Sequence, residues 1–229
     1  MRPEKREKTG LGKKKELVRP AKSEKTEEIR EKEVPCGSER GKRDRETREV
    51  SEGGEKMQKI LIVVDMQNDF IDGALGTPEA VAIVQRVEQK IREFPGKVIF
   101  TRDTHEECYL ETQEGKHLPV PHCIKGTKGW EICPQLEALR EAEAIDKVTF
   151  GSEKLGELLQ EENRKEQIED ITLVGLCTDI CVISNALLLK AFLPETPIIV
   201  DASCCAGVTP KSHETALDAM RMCQINIER

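Results

Sequence analysis

From residue 57 onward, short apolar runs alternate with longer segments in which apolar residues recur every three or four positions. Lys59 to Val64 (KILIVV) is continuous and β-branched, the pattern of a strand buried on both faces of a parallel sheet. Further strands are predicted at Val98 to Thr101, Ala144 to Val148, Ile171 to Gly175, Ile198 to Asp201 and around Ile225 and Ile227. Between them, helical spacing relates Val81, Val84, Val87 and Ile91; then Leu155, Leu158 and Leu159; then Val182, Ala186, Leu189 and Phe192; then Ala216, Leu217, Met220 and Met222. A short helix is predicted over Pro134 to Glu143. Thr77-Pro78 and Thr209-Pro210 are helix starts, and Pro95-Gly96 is a stop, because proline suits the first helical position and cannot continue a helix. A β-α order repeated about six times predicts an α/β fold: a three-layer α/β/α, Rossmann-like arrangement of about six parallel strands with right-handed crossovers.

In open sheets of this kind the chemistry collects at the carboxyl ends of the strands. The first predicted strand ends in Asp65, the third carries Lys147 near its end, and the fourth leads through a tight turn to Cys181 near the start of a helix. A lone cysteine is most often a buried space-filler. At a helix N-terminus, however, the dipole favours an anion and lowers a thiol pKa, and a nearby lysine acts in the same direction. The second strand runs into Arg102-Asp103-Thr104-His105, followed by a long loop from Glu107 to Glu131 that contains His117 and His122. Three of the four histidines therefore fall in one segment. Asp103, His105 and a second histidine from the loop form a candidate carboxylate and imidazole set for a divalent metal. The first turn, DMQNDFIDGALG, lacks the G-x-G-x-x-G fingerprint, which disfavours dinucleotide binding.

Charge divides the chain. Residues 1–56 hold 18 basic and 14 acidic residues with almost no apolar periodicity, leaving 18 basic and 29 acidic residues for 57–229. The first part cannot bury enough apolar surface to offset its ordering entropy, so it is expected to be a disordered extension. Met57 directly precedes the first strand and is an alternative start. The acidic body argues against a nucleic-acid partner. Nine irregularly placed cysteines without a preceding apolar signal segment point to a reduced, cytoplasmic setting. No run approaches the roughly 18 apolar residues of a membrane span.

The set Asp65, Lys147 and Cys181, in the motifs VVDMQNDF, DKVTFGS and VGLCTDICV with TRDTH and VPHCIKGT between, resembles the Asp-Lys-Cys triad of the isochorismatase-like cysteine hydrolases. That superfamily contains the nicotinamidases. The resemblance covers essentially Met57 to the C-terminus, and it implies Cys181 as nucleophile, Asp65 as general base and Lys147 as the cation between them. It also implies an oxyanion turn beside a cis peptide joining Leu176 and Cys177, and a zinc, iron or manganese ion held by Asp103, His105 and His122. His117 is then left near the loop surface, and the loop itself is expected to be held by its Pro119, Pro121 and Gly126 turns and by the metal. The implied reaction cleaves a small amide to carboxylate and ammonia, with nicotinamide as the leading substrate, Phe70 in the substrate pocket and a homo-oligomer as the assembly. Two positions depart from the nicotinamidase pattern: Thr104 replaces an aromatic, and Leu118 to Pro121 offer no tryptophan beside the second histidine. Another C–N hydrolase acting on a carbamoyl, ureido or aliphatic amide is thus the main alternative, ahead of a catalytically idle binding protein. Isochorismate hydrolysis proper needs no thiol, and Cys181 disfavours it.

Overall fold

The computed structural model describes residues 57–229, and the expectation of disorder for 1–56 lies outside the described residues. Six strands, β1 (Gln58–Val64), β2 (Lys97–Asp103), β3 (Ile145–Lys147), β4 (Ile168–Leu176), β5 (Ile198–Ala206) and β6 (Asn226–Glu228), pair in the order β3-β2-β1-β4-β5-β6, and every pairing is parallel. The helices are α1 (Asn68–Ile71), α2 (Pro78–Glu93), α3 (Gln113–His117), α4 (Pro134–Glu137), α5 (Glu153–Lys165), α6 (Ile183–Phe192) and α7 (Pro210–Met222). Strand order reverses between β1 and β4. A crevice opens at such a switch point, beyond the carboxyl ends of the two strands.

Alternation along β1 divides the core. Ile60, Ile62 and Val64 face Leu155 and Leu159 of α5, Ala186 and Leu189 of α6, and Leu217 and Met220 of α7. Leu61 and Val63 face Ala80, Ile83, Val84, Val87 and Ile91 of α2, with Leu136 of α4. Burying each of these side chains contributes about 1.5–3 kcal/mol for the larger residues. Caps set where the helices begin: Thr77 Oγ1 accepts from Ala80 N at 3.0 Å, Ser152 Oγ from Leu155 N at 3.2 Å, and Thr209 and Ser212 form a reciprocal capping box. No helix among the described residues is long and apolar enough to cross a membrane.

Several expected details differ. Val81 and Met222 are exposed rather than part of the apolar stripes; Val81 lies one position off the Ala80–Val84–Val87–Ile91 row, turned about 100° away from it. The helix expected over 134–143 stops at Glu137, because Glu141 to Glu143 are exposed and offer no apolar face to dock. β5 does not end at Asp201 but continues to Ala206. The Asp201 carboxylate is taken up there by Lys90 of α2 at 2.8 Å and by Ser203 Oγ at 2.7 Å, so a charged residue fits inside the strand. The segment 107–131 is not all loop, since it holds a 3-10 turn at Tyr109–Glu111 and helix α3.

Candidate active site

The register of the edge strand builds one side of the crevice. β3 is only three residues long, yet it sets Lys147 beside Asp103 and Asp146 beside Arg102. Because side chains alternate across a strand, the two pairs serve different faces. Arg102 bonds Asp146 at 2.8 Å and lies 3.8 Å over the Trp130 ring. On the other face, Lys147 Nζ reaches Asp65 Oδ2 at 2.8 Å, Asp103 Oδ1 at 3.0 Å and Cys181 Sγ at 3.4 Å. Asp65 is fully buried at the end of β1 in a left-handed conformation, φ 45°, and Thr101 Oγ1 donates to its Oδ1 at 2.7 Å.

Cys181 comes from the facing strand. Gly175 of β4 has φ 113°, and a Cβ there would meet the Val64 carbonyl oxygen at 2.1 Å, so only glycine lets β1 and β4 approach where both end. The peptide between Leu176 and Cys177 is cis, and a π-helical turn, Thr178–Val182, carries Cys181 into α6. Asn185, fully buried, pins this turn: its Nδ2 donates to the Cys181 carbonyl at 2.8 Å and the Phe150 carbonyl at 3.0 Å, while its Oδ1 accepts from Ser152 N at 3.0 Å. Thr178 Oγ1 bonds His213 Nδ1 of α7 at 2.8 Å.

Electrostatics here run against the expected low thiol pKa. Burial, then the Asp65 carboxylate, push the Cys181 thiol well above its ordinary range, and Lys147 opposes them without winning. Burial likewise raises the Asp65 carboxyl, against the pull of Lys147. For Lys147, burial favours the neutral form, but Asp65, Cys181 and Asp103 together hold the ammonium above its ordinary range. Burial thus favours the protonated forms of Cys181 and Asp65, and Lys147 is the group that opposes it at both.

A second group sits at the end of β2. One ligand atom from each of Asp103, His105, Glu114 and His122 lies within 4.8 Å of all the others. Asp103 and His105 leave one strand, His122 comes from the loop, and Glu114 comes from α3, whose first turn is capped by Thr112. The sequence gives no sign of Glu114, since α3 is too short for a periodic pattern. His117, by contrast, is exposed and bonds the Gln113 carbonyl at its own helix. His105 Nε2 is buried with no hydrogen-bond partner, although Asp103 Oδ2 is 3.0 Å away. His122 Nδ1 lies 2.8 Å from the Val120 carbonyl; a carbonyl only accepts, so Nδ1 carries the proton and the Nε2 lone pair faces the cluster. Two imidazole nitrogens and two carboxylates gathered this closely fit a divalent cation.

This group is fixed by its own scaffold. Gln67, fully buried, accepts from Asp103 N at 2.7 Å and donates to the carbonyls of Asp103 at 2.8 Å and Trp130 at 2.9 Å. Trp130 Nε1 donates to Thr104 Oγ1 at 2.9 Å. Cys123 N donates to Asp69 Oδ2 at 2.8 Å, and His105 and Ile124 pair as a parallel bridge. The His122 loop is thus tied to the body by protein groups in addition to its own turns, such as Thr127 N to the Ile124 carbonyl at 3.0 Å. Both groups open into one cavity of about 890 Å³, in which Phe70 and Phe150 are aromatic walls. Phe150 was not expected there.

The isochorismatase domain model matches residues 59–228. The chain belongs to the isochorismatase family. Among its isochorismatase relatives, the family protein PncA of Bacillus subtilis is 30% identical over 173 residues, covering 70% of this chain and 93% of its own length. The nicotinamidase/pyrazinamidase of Mycobacterium tuberculosis is 26% identical over 187 residues, covering 74% of this chain and 97% of that protein. The crystal structure of the pyrazinamidase of Pyrococcus horikoshii in complex with zinc superposes with a TM-score of 0.62 at 28% identity, over 75% of this chain and 99% of that one.

Proposed function

We propose that the described domain is an amide hydrolase that converts nicotinamide to nicotinate and ammonia through a thioester on Cys181. The observation that carries this reading is Lys147 Nζ in simultaneous contact with Asp65, Asp103 and Cys181. A scaffold has no use for a buried thiol, ammonium and two carboxylates in mutual reach, because burying charge is costly unless function retains it. Relatives named nicotinamidase/pyrazinamidase give the substrate.

Cys181 Sγ attacks the amide carbonyl carbon as Asp65 takes the thiol proton, and the carbon–sulfur bond forms. Asp65 then delivers that proton to the amide nitrogen, the carbon–nitrogen bond breaks, and ammonia leaves. Water adds to the thioester with its proton passing to Asp65; the carbon–sulfur bond breaks, and the proton returns to the thiolate. Lys147 stays charged throughout and holds the two reacting side chains together. Backbone N–H groups of the turn around Cys177 and Cys181 are the proposed oxyanion donors. Asp103, His105 and His122, joined by Glu114, would hold a divalent ion, for which zinc is the first choice given the zinc-bound relative. Such an ion supplies Lewis acidity that orients a ring nitrogen or a bound water.

Ammonia release from nicotinamide and a panel of carbamoyl, ureido and aliphatic amides tests the assignment. Turnover of nicotinamide that disappears in Cys181→Ala and persists in Cys177→Ala is expected. Release from an aliphatic or ureido amide alone would overturn the substrate, and an active Cys181→Ala would overturn the mechanism.

A further inference from the structure

The cavity over Cys181 is larger than nicotinamide requires. Its volume, about 890 Å³, falls in the upper part of the range of about 300–1,000 Å³ that encloses drug-sized ligands, so a one-ring carboxamide leaves most of it unfilled. Its polarity is uneven. The four metal-ligand candidates line it, and its exposed rim joins the apolar Leu118 (36% exposed), Val148 (76%), Phe150 (43%) and Val208 (51%) to the uncharged or weakly basic Thr112, Gln113, His117 and Thr149. These are four of the ten exposed large hydrophobic residues among the described ones. Exposed apolar residues scattered singly need no explanation, whereas a converging set marks a binding surface.

The four come from three separate connections: the end of α3, the segment from β3 to α5, and the segment from β5 to α7. The seat is also in fixed register with the nucleophile, since the Asn185 amide that holds the Cys181 carbonyl holds the Phe150 carbonyl too. Among the described residues, no lysine or arginine lines the cavity. An anionic substituent would therefore lose its hydration at the mouth and gain no counter-charge.

We propose, resting on the amide-hydrolase reading above, that the site takes a carboxamide whose ring carries a neutral apolar substituent seated against Leu118, Val148, Phe150 and Val208. The test uses the full chain loaded with zinc and measures ammonia release from nicotinamides bearing straight alkyl groups of increasing length at each open ring position. At one ring position kcat/KM should rise by about fourfold for each methylene buried, and the same series ending in a carboxylate should show no rise. Phe150→Ser and Val148→Ser, both at exposed positions, should each flatten the rise, read as the ratio of alkylated to parent amide. A flat or falling series with nicotinamide still turned over overturns this inference and leaves the hydrolase reading standing. No release from any member overturns both. A Phe150→Ser variant that sediments as a smaller species while keeping the full alkyl ratio would assign the mouth to a second copy of the chain, and that too overturns the inference.

Discussion

The two corners of the crevice are built in different ways. The nucleophile corner is one continuous stretch in which strand β4, the π-helical turn and α6 follow each other, and Asn185 within it holds the Cys181 carbonyl and reaches out to Phe150 and Ser152. The donor corner is assembled from β2, α3 and a loop, and side chains far away in sequence, Gln67 and Asp69 from the first turn and Trp130 from the loop's far end, hold it. Local sequence thus lays down the course of the first corner, which Phe150, Ser152 and His213 brace from outside, whereas the second is assembled by tertiary hydrogen bonds throughout. Lys147 is bonded to both, through Cys181 and Asp103.

Breaking that bridge should have the largest effect. Lys147→Met leaves the carboxylates of Asp65 and Asp103 buried without their shared cation, and removing one partner of a buried ion pair costs about 3–5 kcal/mol. Urea denaturation should show a loss of this size, and ammonia release should fall with it. An unchanged denaturation midpoint would mean that the two corners stand independently of each other.

The next prediction isolates the donor corner. Gln67→Ala unpairs the buried Asp103 amide and carbonyl and the half-buried Trp130 carbonyl. Loss of such outer partners typically lowers metal affinity about 10–100-fold. Competition against a chelator should show that drop for zinc, while the rate at which iodoacetamide alkylates Cys181 stays as in the parent. A Gln67→Ala protein that holds zinc as tightly as the parent would show that the ligands need no such support.

The same contrast explains what was legible in the sequence. Buried parallel strands are unbroken apolar runs, so β1 and β4 were plain, and with them the strand-end position of Asp65 and the turn bearing Cys181. The interior position of Asp201 was hidden because its partner Lys90 lies on another element. Glu114 was hidden because a five-residue helix has no period to read. Gln67 sat in view inside VVDMQNDF, but a glutamine two residues past a strand end carries no local sign that it will bind both sides of the Asp103 peptide group. Burial of the thiol was hidden for a similar reason, since the helix dipole and lysine that lower its pKa are visible in sequence and the depth of burial that raises it is not.

The smallest expected effect belongs to the nucleophile corner and to the histidine that the metal reading left aside. His213 bonds Thr178, the fully buried residue that opens the π-helical turn. Burial is the main cause that lowers its pKa below the ordinary 6.5; Arg229 adds to the shift, and Glu214 and Asp179 oppose it. A depressed histidine binds fewer protons folded than unfolded between its folded pKa and 6.5, so stability rises with pH across that window. The contribution is complete above 6.5 and is lost as pH falls through the folded value. His213→Asn keeps a side-chain oxygen able to accept from Thr178 and removes the titration. Denaturation midpoints measured from neutral pH down through this window should fall more steeply for the parent than for His213→Asn, with zinc affinity equal in both. Parallel slopes would mean that the His213 contact does not link its titration to the stability of the turn carrying Cys181.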